Sequence, residues 1–365
     1  MQNISTNIIE SLKKEPQELK EGLGSWLFRW MTLPLWPIRA LLMNIIVPTA
    51  WVVMTVYAEK YMQKFINEKV ASQGYSLETI KYSTPSNSKC SMIIAAKNDQ
   101  TPLNERKLVI TFHGNGMKAF KSVHSFFNSK KTKGDLLAVD YPDYATTSKE
   151  LVDAGVSAVI RAIKAGYEPK NITIAGNSLG GAVSALVLKE MKKYPEVMNG
   201  QKFAGYVNHR SFTNLGDVVA SHANHKDDNS LLNENKDFIK DTKKSWLGWF
   251  TNGFTSLIGV QLDAESALST PDLPVSQMKF YADDGDEVIR HGASMAARIQ
   301  DIEVPTKVKY TKKHGHNGTI SNSLYNSSKP HTKWNEQKQD RKQKFAKIET
   351  KKRTENSQNT TFTSL

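Results

Sequence analysis

Apolar runs alternate with amphipathic segments through the middle of the chain. Runs rich in β-branched residues and leucine lie at 107–113, 135–140, 171–175, 203–207, 277–281 and 306–310. Between them, 146–165 repeats its apolar positions with helical spacing, and 182–188 begins another helical stretch. Apolar strands separated by helices predict an α/β fold with a mostly parallel sheet covered on both faces. Two earlier strands, 76–83 and 90–96, are expected to pair with each other.

The turn between the strand 171–175 and the next helix has the sequence GNSLGG, at 176–181. A strand, a G-x-S-x-G turn and a helix together form a nucleophile elbow, which presents its serine at the top of a sheet. Gly176 and Gly180 let the strand and the helix pass closely, and the helix N-terminus behind the serine favours negative charge. This context predicts that Ser178 is a nucleophile.

A serine hydroxyl is a poor nucleophile unless a base takes its proton and a carboxylate orients that base. The loop after the strand 277–281 contains three acids, Asp283, Asp284 and Asp286. We prefer Asp286, because it lies where the loop should turn, ahead of an apolar pair and the next helix. Asp283 and Asp284 remain alternatives.

The loop after the strand 306–310 contains two histidines, His314 and His316. We prefer His316 as the general base, because Gly315 and Gly318 flank it and relieve a tight turn. The serine, the acid and the histidine then follow in the chain order that is typical of this kind of hydrolase.

Two backbone N–H groups are expected to form an oxyanion hole. One belongs to Asn115, in the loop after the first central strand, with Gly116 as the alternative, and the other belongs to Leu179. Such donors are typically worth about 2.7–4 kcal/mol each. His113, just before this loop, is interpreted as a structural histidine that bonds to the backbone.

Five segments resemble the ABHD-type serine hydrolases of the α/β-hydrolase superfamily. They are FHGNG at 112–116, VDYPDY at 139–144, GNSLGGA at 176–182, DGDEVI at 284–289 and GHN at 315–317. The resemblance covers about residues 100–320 and implies an α/β-hydrolase fold with Ser178, Asp286 and His316 as its catalytic triad. Pro142 and Asp143 replace the Arg-Gly of that family, and 220–270 shows little similarity, so the family's substrates do not carry over.

The N-terminal region contains nineteen residues without a charge, 40–58. As a helix this run would span about 29 Å, close to the thickness of a hydrocarbon core. Trp36, Trp51 and Tyr57 resemble interfacial anchors, whereas Pro48 interrupts a plain span. We expect a membrane-spanning or hairpin-inserted segment. A segment lying in the interface and a helix packed on the soluble domain are the alternatives.

Charge and composition exclude other function classes. The net charge of +13 is uneven, since the tail 321–365 contains ten Lys or Arg against four Asp or Glu. We predict that this polar tail is mostly disordered, with a membrane contact, a solvated tail and a secretion signal as its possible roles. Nucleic-acid binding is not expected, because few aromatic residues accompany the basic ones.

No cofactor and no metal are expected. Gly114 and Gly116 lack the third glycine and the downstream acid of a dinucleotide fingerprint. His222 and His225, with acids nearby, fit no specific metal-site spacing. Cys90 is the only cysteine, so it forms no disulfide within the chain. It is interpreted as a half-buried strand residue and fits a reducing compartment such as the cytosol.

The expected organisation has three parts. Residues 1–75 form a membrane-associating segment and linker, 76–320 form the hydrolase domain with a helical cap inserted at about 211–275, and 321–365 form the tail. The cap contains aromatic residues at 246–250 that suggest a lipophilic pocket wall, or packing on the sheet.

The expected function is cleavage of esters or thioesters, with lipids or lipidated proteins as substrates at a membrane. A serine peptidase of the same fold and a catalytically inactive membrane-bound scaffold are the alternatives. The N-terminal apolar segment, the Lys/Asn-rich composition and the polar tail also resemble the SidB-like effector hydrolases of Legionella and a related chlamydial group. That resemblance implies secretion by a bacterium into a host cell.

Overall fold

Eight strands form one sheet in the computed structural model of the protein. They are β1 Tyr75–Ser83, β2 Lys89–Lys97, β3 Leu108–Phe112, β4 Asp135–Val139, β5 Ile172–Asn177, β6 Gly205–His209, β7 Met278–Asp283 and β8 Thr306–Thr311. Their order across the sheet is β1-β2-β4-β3-β5-β6-β7-β8. Strand β2 is antiparallel to β1 and β4, and every pair from β4 to β8 is parallel. The predicted α/β fold with a mostly parallel sheet is therefore confirmed.

The structure describes most of the chain between 66 and 311, together with an N-terminal helix and one later residue. The described residues are 4–14, 16, 66–128, 134–143, 145–223, 251, 253, 255–256, 259–283, 286–290, 293–299, 304–311 and 316.

Helices cover both faces of the sheet. They are α1 Ile4–Lys13, α2 Ala119–Asn128, α3 Ser148–Ala165, α4 Leu179–Met191, α5 Pro195–Met198, α6 Leu215–Ala223, α7 Ala264–Leu268 and α8 Met295–Arg298, with a further helical segment at 66–72. Helices α1, α3 and α4 share one core cluster, whereas α2 and 66–72 belong to a second cluster. Within β3, Ile110 belongs to the first cluster and Val109 to the second, because successive strand residues point to opposite faces. Burial on both faces explains why the central strands are apolar throughout.

The ends of α3 are specified locally by the sequence. Thr147 and Glu150 form a capping box at its start, so two backbone N–H groups that the helix leaves without partners are bonded. At its end, Gly166 takes the left-handed conformation with φ 117°, which suits glycine. The predicted helix 146–165 is therefore observed within two residues of its expected bounds.

Helix α1 packs on the domain, ahead of the apolar run 40–58. Ile8 and Leu12 are fully buried in the cluster that also holds α3. The buried guanidinium of Arg161, in α3, donates to the carbonyl oxygens of Leu12 and Lys13 at 3.2 Å and of Lys14 at 2.6 Å. These bonds satisfy carbonyl groups at the C-terminal end of α1 that the helix itself leaves unbonded.

The chain after the apolar run also packs on the domain. Ile66 and Val70 are buried in the second cluster, on the face of the sheet that α2 covers. The run 40–58 itself lies outside the described residues, as does the tail 321–365. Among the residues that are described, no helix is both long enough and apolar enough to cross a membrane.

The segment 211–275, predicted as a cap insertion, has its described ends close together. The carbonyl oxygen of Thr213 accepts hydrogen bonds from the backbone N–H groups of Ala264, at 2.7 Å, and Glu265, at 3.2 Å. Val260 and Leu262 are fully buried in the first core cluster, so this later part of the segment packs in the domain core. Residues 224–250, including the aromatic stretch 246–250, lie outside the described residues.

The strand order creates a crevice at one edge of the sheet. The chain passes from β3 to β4 on one side, and then returns through α3 to β5 on the other side of β3. Where connections leave neighbouring parallel strands in opposite directions, a crevice opens beyond the carboxyl ends of those strands. The predicted oxyanion loop follows β3, and Ser178 follows β5, so both lie at this edge.

Helix α4 approaches β3 so closely that only glycine fits at the contact. A Cβ atom at Gly180 would lie 2.1 Å from the carbonyl oxygen of Phe112, and one at Gly176 would lie 2.2 Å from the carbonyl oxygen of Gly180. The two glycines of the elbow therefore set how near the helix can lie to the sheet.

We predict that Gly180→Ala destabilises the domain by about 3 kcal/mol or more, at the upper end of single-substitution effects, because backbone atoms must move. Gly205→Ala is the matched control, since its Cβ would meet its first neighbour, Gln277 Cγ, at an ordinary 3.5 Å. Urea unfolding of both variants measures the difference. Equal free energies of unfolding would contradict this account of the elbow.

Candidate active site

Ser178 adopts a backbone conformation that L-residues rarely take. Its φ is 52° and its ψ is −119°, which costs of the order of 1–3 kcal/mol. Hydrogen bonds on both sides hold it there, because its N–H donates to the carbonyl oxygen of His209 at 2.8 Å and its carbonyl oxygen accepts from the N–H of Gly181 at 2.9 Å. The residue is 7% exposed. The surrounding fold therefore fixes a strained serine at the start of α4.

His316 connects Ser178 to Asp286. Its Nε2 lies 2.9 Å from Ser178 Oγ, and its Nδ1 lies 2.9 Å and 3.0 Å from the two carboxylate oxygens of Asp286. An ionised carboxylate accepts hydrogen bonds and has no hydrogen to donate, so Nδ1 carries the hydrogen and Nε2 is left to accept from the serine hydroxyl. The structure thus brings together the three residues that the sequence predicted as a triad.

The carboxylate of Asp286 is held by backbone donors. Its Oδ1 accepts from the N–H of Val288 at 3.0 Å and from the N–H of Ile289 at 2.7 Å. The N–H of His316 donates to Glu287 Oε2 at 3.2 Å. The segment after β7 that contains Asp286 and Glu287, here called the acid loop, therefore contacts both the ring and the backbone N–H of His316.

Of the alternative triad residues, only Asp283 lies in the described part of the chain, and its side chain faces Arg210. Asp283, at the end of β7, is fully buried at its side chain and lies 3.4 Å from Arg210 Nη2. Asp284 and His314 lie outside the described residues. Of the described acids after β7, Asp286 is the one hydrogen-bonded to the imidazole ring of His316.

The predicted oxyanion loop lies against the elbow. A Cβ atom at Gly114 would lie 3.3 Å from Ser178 Cβ and 3.1 Å from Asn177 Nδ2. Asn115 follows Gly114 and is exposed, and Gly116 has a left-handed φ of 67°. Leu179 begins α4, so its N–H has no acceptor within the helix. Leu179 is therefore adjacent to the serine in the chain, and Asn115 follows the glycine that lies against the serine.

The His113 side chain is hydrogen-bonded to the backbone at the start of this loop. Its Nδ1 lies 2.9 Å from the carbonyl oxygen of Gly114, and its Nε2 lies 3.4 Å from Asp140 Oδ1. The hydroxyl of Tyr141 donates to the His113 carbonyl oxygen at 3.0 Å. Burial tends to raise the pKa of Asp140, but the neighbouring His113 imidazole and the N–H of Ala119, which donates to Oδ1 at 2.6 Å, hold that pKa below its usual range. The buried ring bonded to backbone agrees with the structural interpretation of His113.

His209 supports the elbow and was not singled out from the sequence. Its Nδ1 lies 2.9 Å from Asn177 Oδ1, and its carbonyl oxygen accepts the N–H of Ser178. Burial, followed by the charges of Arg210 and His316, lowers the pKa of His209 to about 3. It is therefore neutral at physiological pH. The signal in the sequence was a polar run, 208–210, at the end of an otherwise apolar strand.

The other candidate groups from the sequence are Cys90 and the possible metal ligands. Cys90 is 6% exposed in β2, where burial raises the pKa of its thiol to about 12, so it is held as a thiol. It is more deeply buried than the sequence indicated. Among the described residues, no three His, Cys, Asp or Glu side chains are grouped to hold a metal ion. The side chains of His222 and His225 lie outside the described part of the chain.

The domain is similar in fold to solved esterase structures. A bacterial heroin esterase is 15% identical, with a TM-score of 0.51 over 81% of this chain and 96% of that one. Esterase LipW from Mycobacterium marinum is 12% identical, with a TM-score of 0.50 over 78% of this chain and 92% of that one. No family model matches the sequence, and no curated protein matches it. At these identities the likeness shows the α/β-hydrolase fold.

We predict that His209 makes the domain less stable in acid. Its pKa is about 3 in the folded protein, against about 6.5 in an unfolded chain. Between these two values the unfolded chain binds a proton that the folded protein does not, so the free energy of unfolding rises with pH across that window. The contribution reaches about 1.4 kcal/mol per pH unit at most.

His209→Gln should therefore lose less stability than wild type when the pH falls from 7 towards 5. Urea unfolding at a series of pH values measures the two slopes. His124→Gln, at a partly exposed histidine, is the control and should change the slope less. Parallel curves for wild type and His209→Gln would show that this histidine protonates equally in both states.

Proposed function

We propose that the protein is a serine hydrolase that cleaves carboxylic esters or thioesters through an acyl-enzyme. The observation that supports this most directly is the hydrogen-bonded series Ser178 Oγ, His316 and Asp286, with 2.9 Å at each of its two links. A serine, a base in reach of its hydroxyl and an acid that orients the base are the parts that nucleophilic acyl transfer requires.

In the proposed reaction, Ser178 Oγ attacks the acyl carbonyl carbon while His316 Nε2 takes the hydroxyl proton. Asp286 stabilises the imidazolium that forms, and the backbone N–H groups of Asn115 and Leu179 stabilise the negative charge on the carbonyl oxygen. His316 then gives its proton to the leaving alcohol or thiol as the carbon–oxygen or carbon–sulfur bond breaks. In the second half, His316 takes a proton from water as the water oxygen attacks the acyl carbon. His316 then returns that proton to Ser178 Oγ as the bond from Oγ to the acyl carbon breaks and the acid leaves.

Esters rather than peptides are favoured as the substrate class. The resemblance of the five motif segments to the ABHD-type serine hydrolases supports this choice, as does the fold shared with two esterases. The aromatic stretch 246–250 and the apolar run 40–58 favour a lipophilic acyl group. Lipids or lipidated proteins are therefore the proposed substrates.

We also propose that the protein attaches to a membrane through the run 40–58. The run is apolar and has aromatic residues at its borders, as interfacial segments do. Helix α1 precedes it and 66–72 follows it, and both pack on the hydrolase domain. Attachment through this run therefore leaves both of its flanks on the same side of the bilayer, which favours a hairpin or an interfacial segment over a single span.

The nucleophile is tested by labelling the protein with a fluorophosphonate. We predict that wild type reacts, because Ser178 Oγ attacks phosphorus, fluoride leaves and His316 takes the proton. Ser178→Ala should show no labelling, and Asp286→Asn should react about 10⁴-fold more slowly. Ser184→Ala, six residues further along α4, is the control and should keep the wild-type rate. Labelling that persists in Ser178→Ala, or is absent in folded wild type with and without liposomes, would contradict the proposal.

Membrane attachment is tested by flotation with liposomes. We predict that wild type floats with them and that Val52→Asp with Val53→Asp does not, because each buried carboxylate costs about 2.5–3.5 kcal/mol at the centre of a bilayer. Val52→Leu with Val53→Leu is the matched control. Hydrolysis of a short soluble ester should be the same in all three proteins. Flotation of the charged variant, or no flotation of wild type, would show that this run is not the attachment site.

A further inference from the structure

Arg210 lies buried beneath the proposed triad in an unfavourable conformation. It directly follows β6, is 2% exposed and has a φ of 49°. The left-handed region is costly for a residue with a long side chain, and burial of a guanidinium is costly unless the charge is paired and bonded. Because both the positive φ and the buried charge are costly, the hydrogen bonds and the ion pair of Arg210 must offset these costs.

The bonds of Arg210 join three separate segments at the carboxyl edge of the sheet. Its Nη1 donates to the carbonyl oxygen of His316 at 3.0 Å, and its Nη2 lies 3.4 Å from Asp283 Oδ2. Its backbone N–H donates to the carbonyl oxygen of Tyr281 at 2.7 Å. The end of β6 is thereby tied to β7 and to the residue that bears the imidazole.

His316 needs contacts to its backbone to stay in place, because it lies five residues beyond the end of β8 at Thr311 and the sheet does not hold it directly. Its ring must meet Ser178 Oγ and Asp286 at once, each at 2.9 Å. Of the two described bonds to its backbone, the one to Glu287 is exposed and competes with water, whereas the one from Arg210 comes from a buried guanidinium.

Asp283 connects the same guanidinium to the acid loop. Its side chain faces Arg210, and its carbonyl oxygen accepts the N–H of Asp286 at 3.2 Å. Arg210 therefore contacts both loops that supply the proposed triad, the acid loop through Asp283 and the histidine loop through His316. A guanidinium can do this because its planar fork reaches two acceptors, whereas a lysine ammonium is a single point charge.

We propose that Arg210 is a positioning residue that holds the His316 backbone so that the imidazole meets Ser178 and Asp286 together, with Asp283 as its counter-ion. The proposal rests on the proposed serine-hydrolase function. It assigns Asp283 a role different from that of a triad acid. A displacement of His316 of about 1 Å is expected to slow acyl transfer by about 10²-fold.

The test measures the kinetics of fluorophosphonate labelling over a range of probe concentrations. Arg210→Met combined with Asp283→Asn removes the contact without leaving a buried unpaired carboxylate. We expect its maximal labelling rate to fall by about 10- to 100-fold, with little change in the half-saturating probe concentration. Asp283→Asn alone keeps the bond to His316 and should lose less. Arg210→Lys should also be slower than wild type, because it cannot reach both acceptors.

Arg106→Met is the matched control for the loss of a buried arginine. Arg106 is 4% exposed and pairs with Asp135, which begins β4 at the opposite edge of the sheet. This variant should be less stable than wild type while its folded fraction, measured by circular dichroism, labels at the wild-type rate. Arg210→Ala should regain part of its rate when guanidinium chloride is added at millimolar concentration, whereas sodium chloride should restore none.

The outcomes separate this proposal from the proposed function. Wild type that does not label overturns the serine-hydrolase assignment itself. Labelling of wild type together with an unchanged rate in the folded double variant overturns the role of Arg210 alone. If the double variant does not fold, Arg210→Lys decides, and a wild-type rate in that variant overturns the role. If the double variant and Arg106→Met lose the same labelling rate, Arg210 only stabilises the fold and the positioning role is overturned.

Discussion

The left-handed backbone of Ser178 is the constraint on which the rest of the site depends. To enter α4 directly from β5 with φ at 52°, the chain must pass within contact distance of β3 and of the segment after β6. A Cβ atom at Gly181 would lie 2.4 Å from Ser211 Cβ, just as one at Gly180 would meet Phe112. The strain at one residue is thus maintained by packing on several sides.

Polar groups then gather at one edge of an otherwise apolar sheet. Asp140 follows β4, Asp283 ends β7 and Asp286 follows β7, and each carboxylate lies within 3.4 Å of a histidine or arginine side chain. A buried charge is tolerated only when such partners are present. Because the carboxyl ends of parallel strands meet at this edge, each pair also fixes the loop that leads away from its strand.

The sequence predicted the fold and the three central residues because each rests on a local pattern. Apolar runs of strand length, separated by helical periods, specify the parallel sheet. Ser178, Asp286 and His316 each lie in a glycine-containing turn after such a run. The contributions of His209 and Arg210 depend instead on register, since Asn177 pairs with His209 in the sheet and His209 with Tyr281. Local sequence does not contain that information.

The fold follows from local sequence patterns, whereas the chemistry depends on contacts between distant segments. A shared fold does not imply a shared reaction, since function is determined by the site that the fold supports. The case for acyl transfer therefore depends on His316, a residue outside regular structure whose ring would reach Ser178 only if its loop were held. Three contacts hold it, to Asp286, Glu287 and Arg210, and they come from two different segments of the chain. The strained serine, the oriented imidazole and the buried arginine together favour the proposed hydrolase over an inactive scaffold.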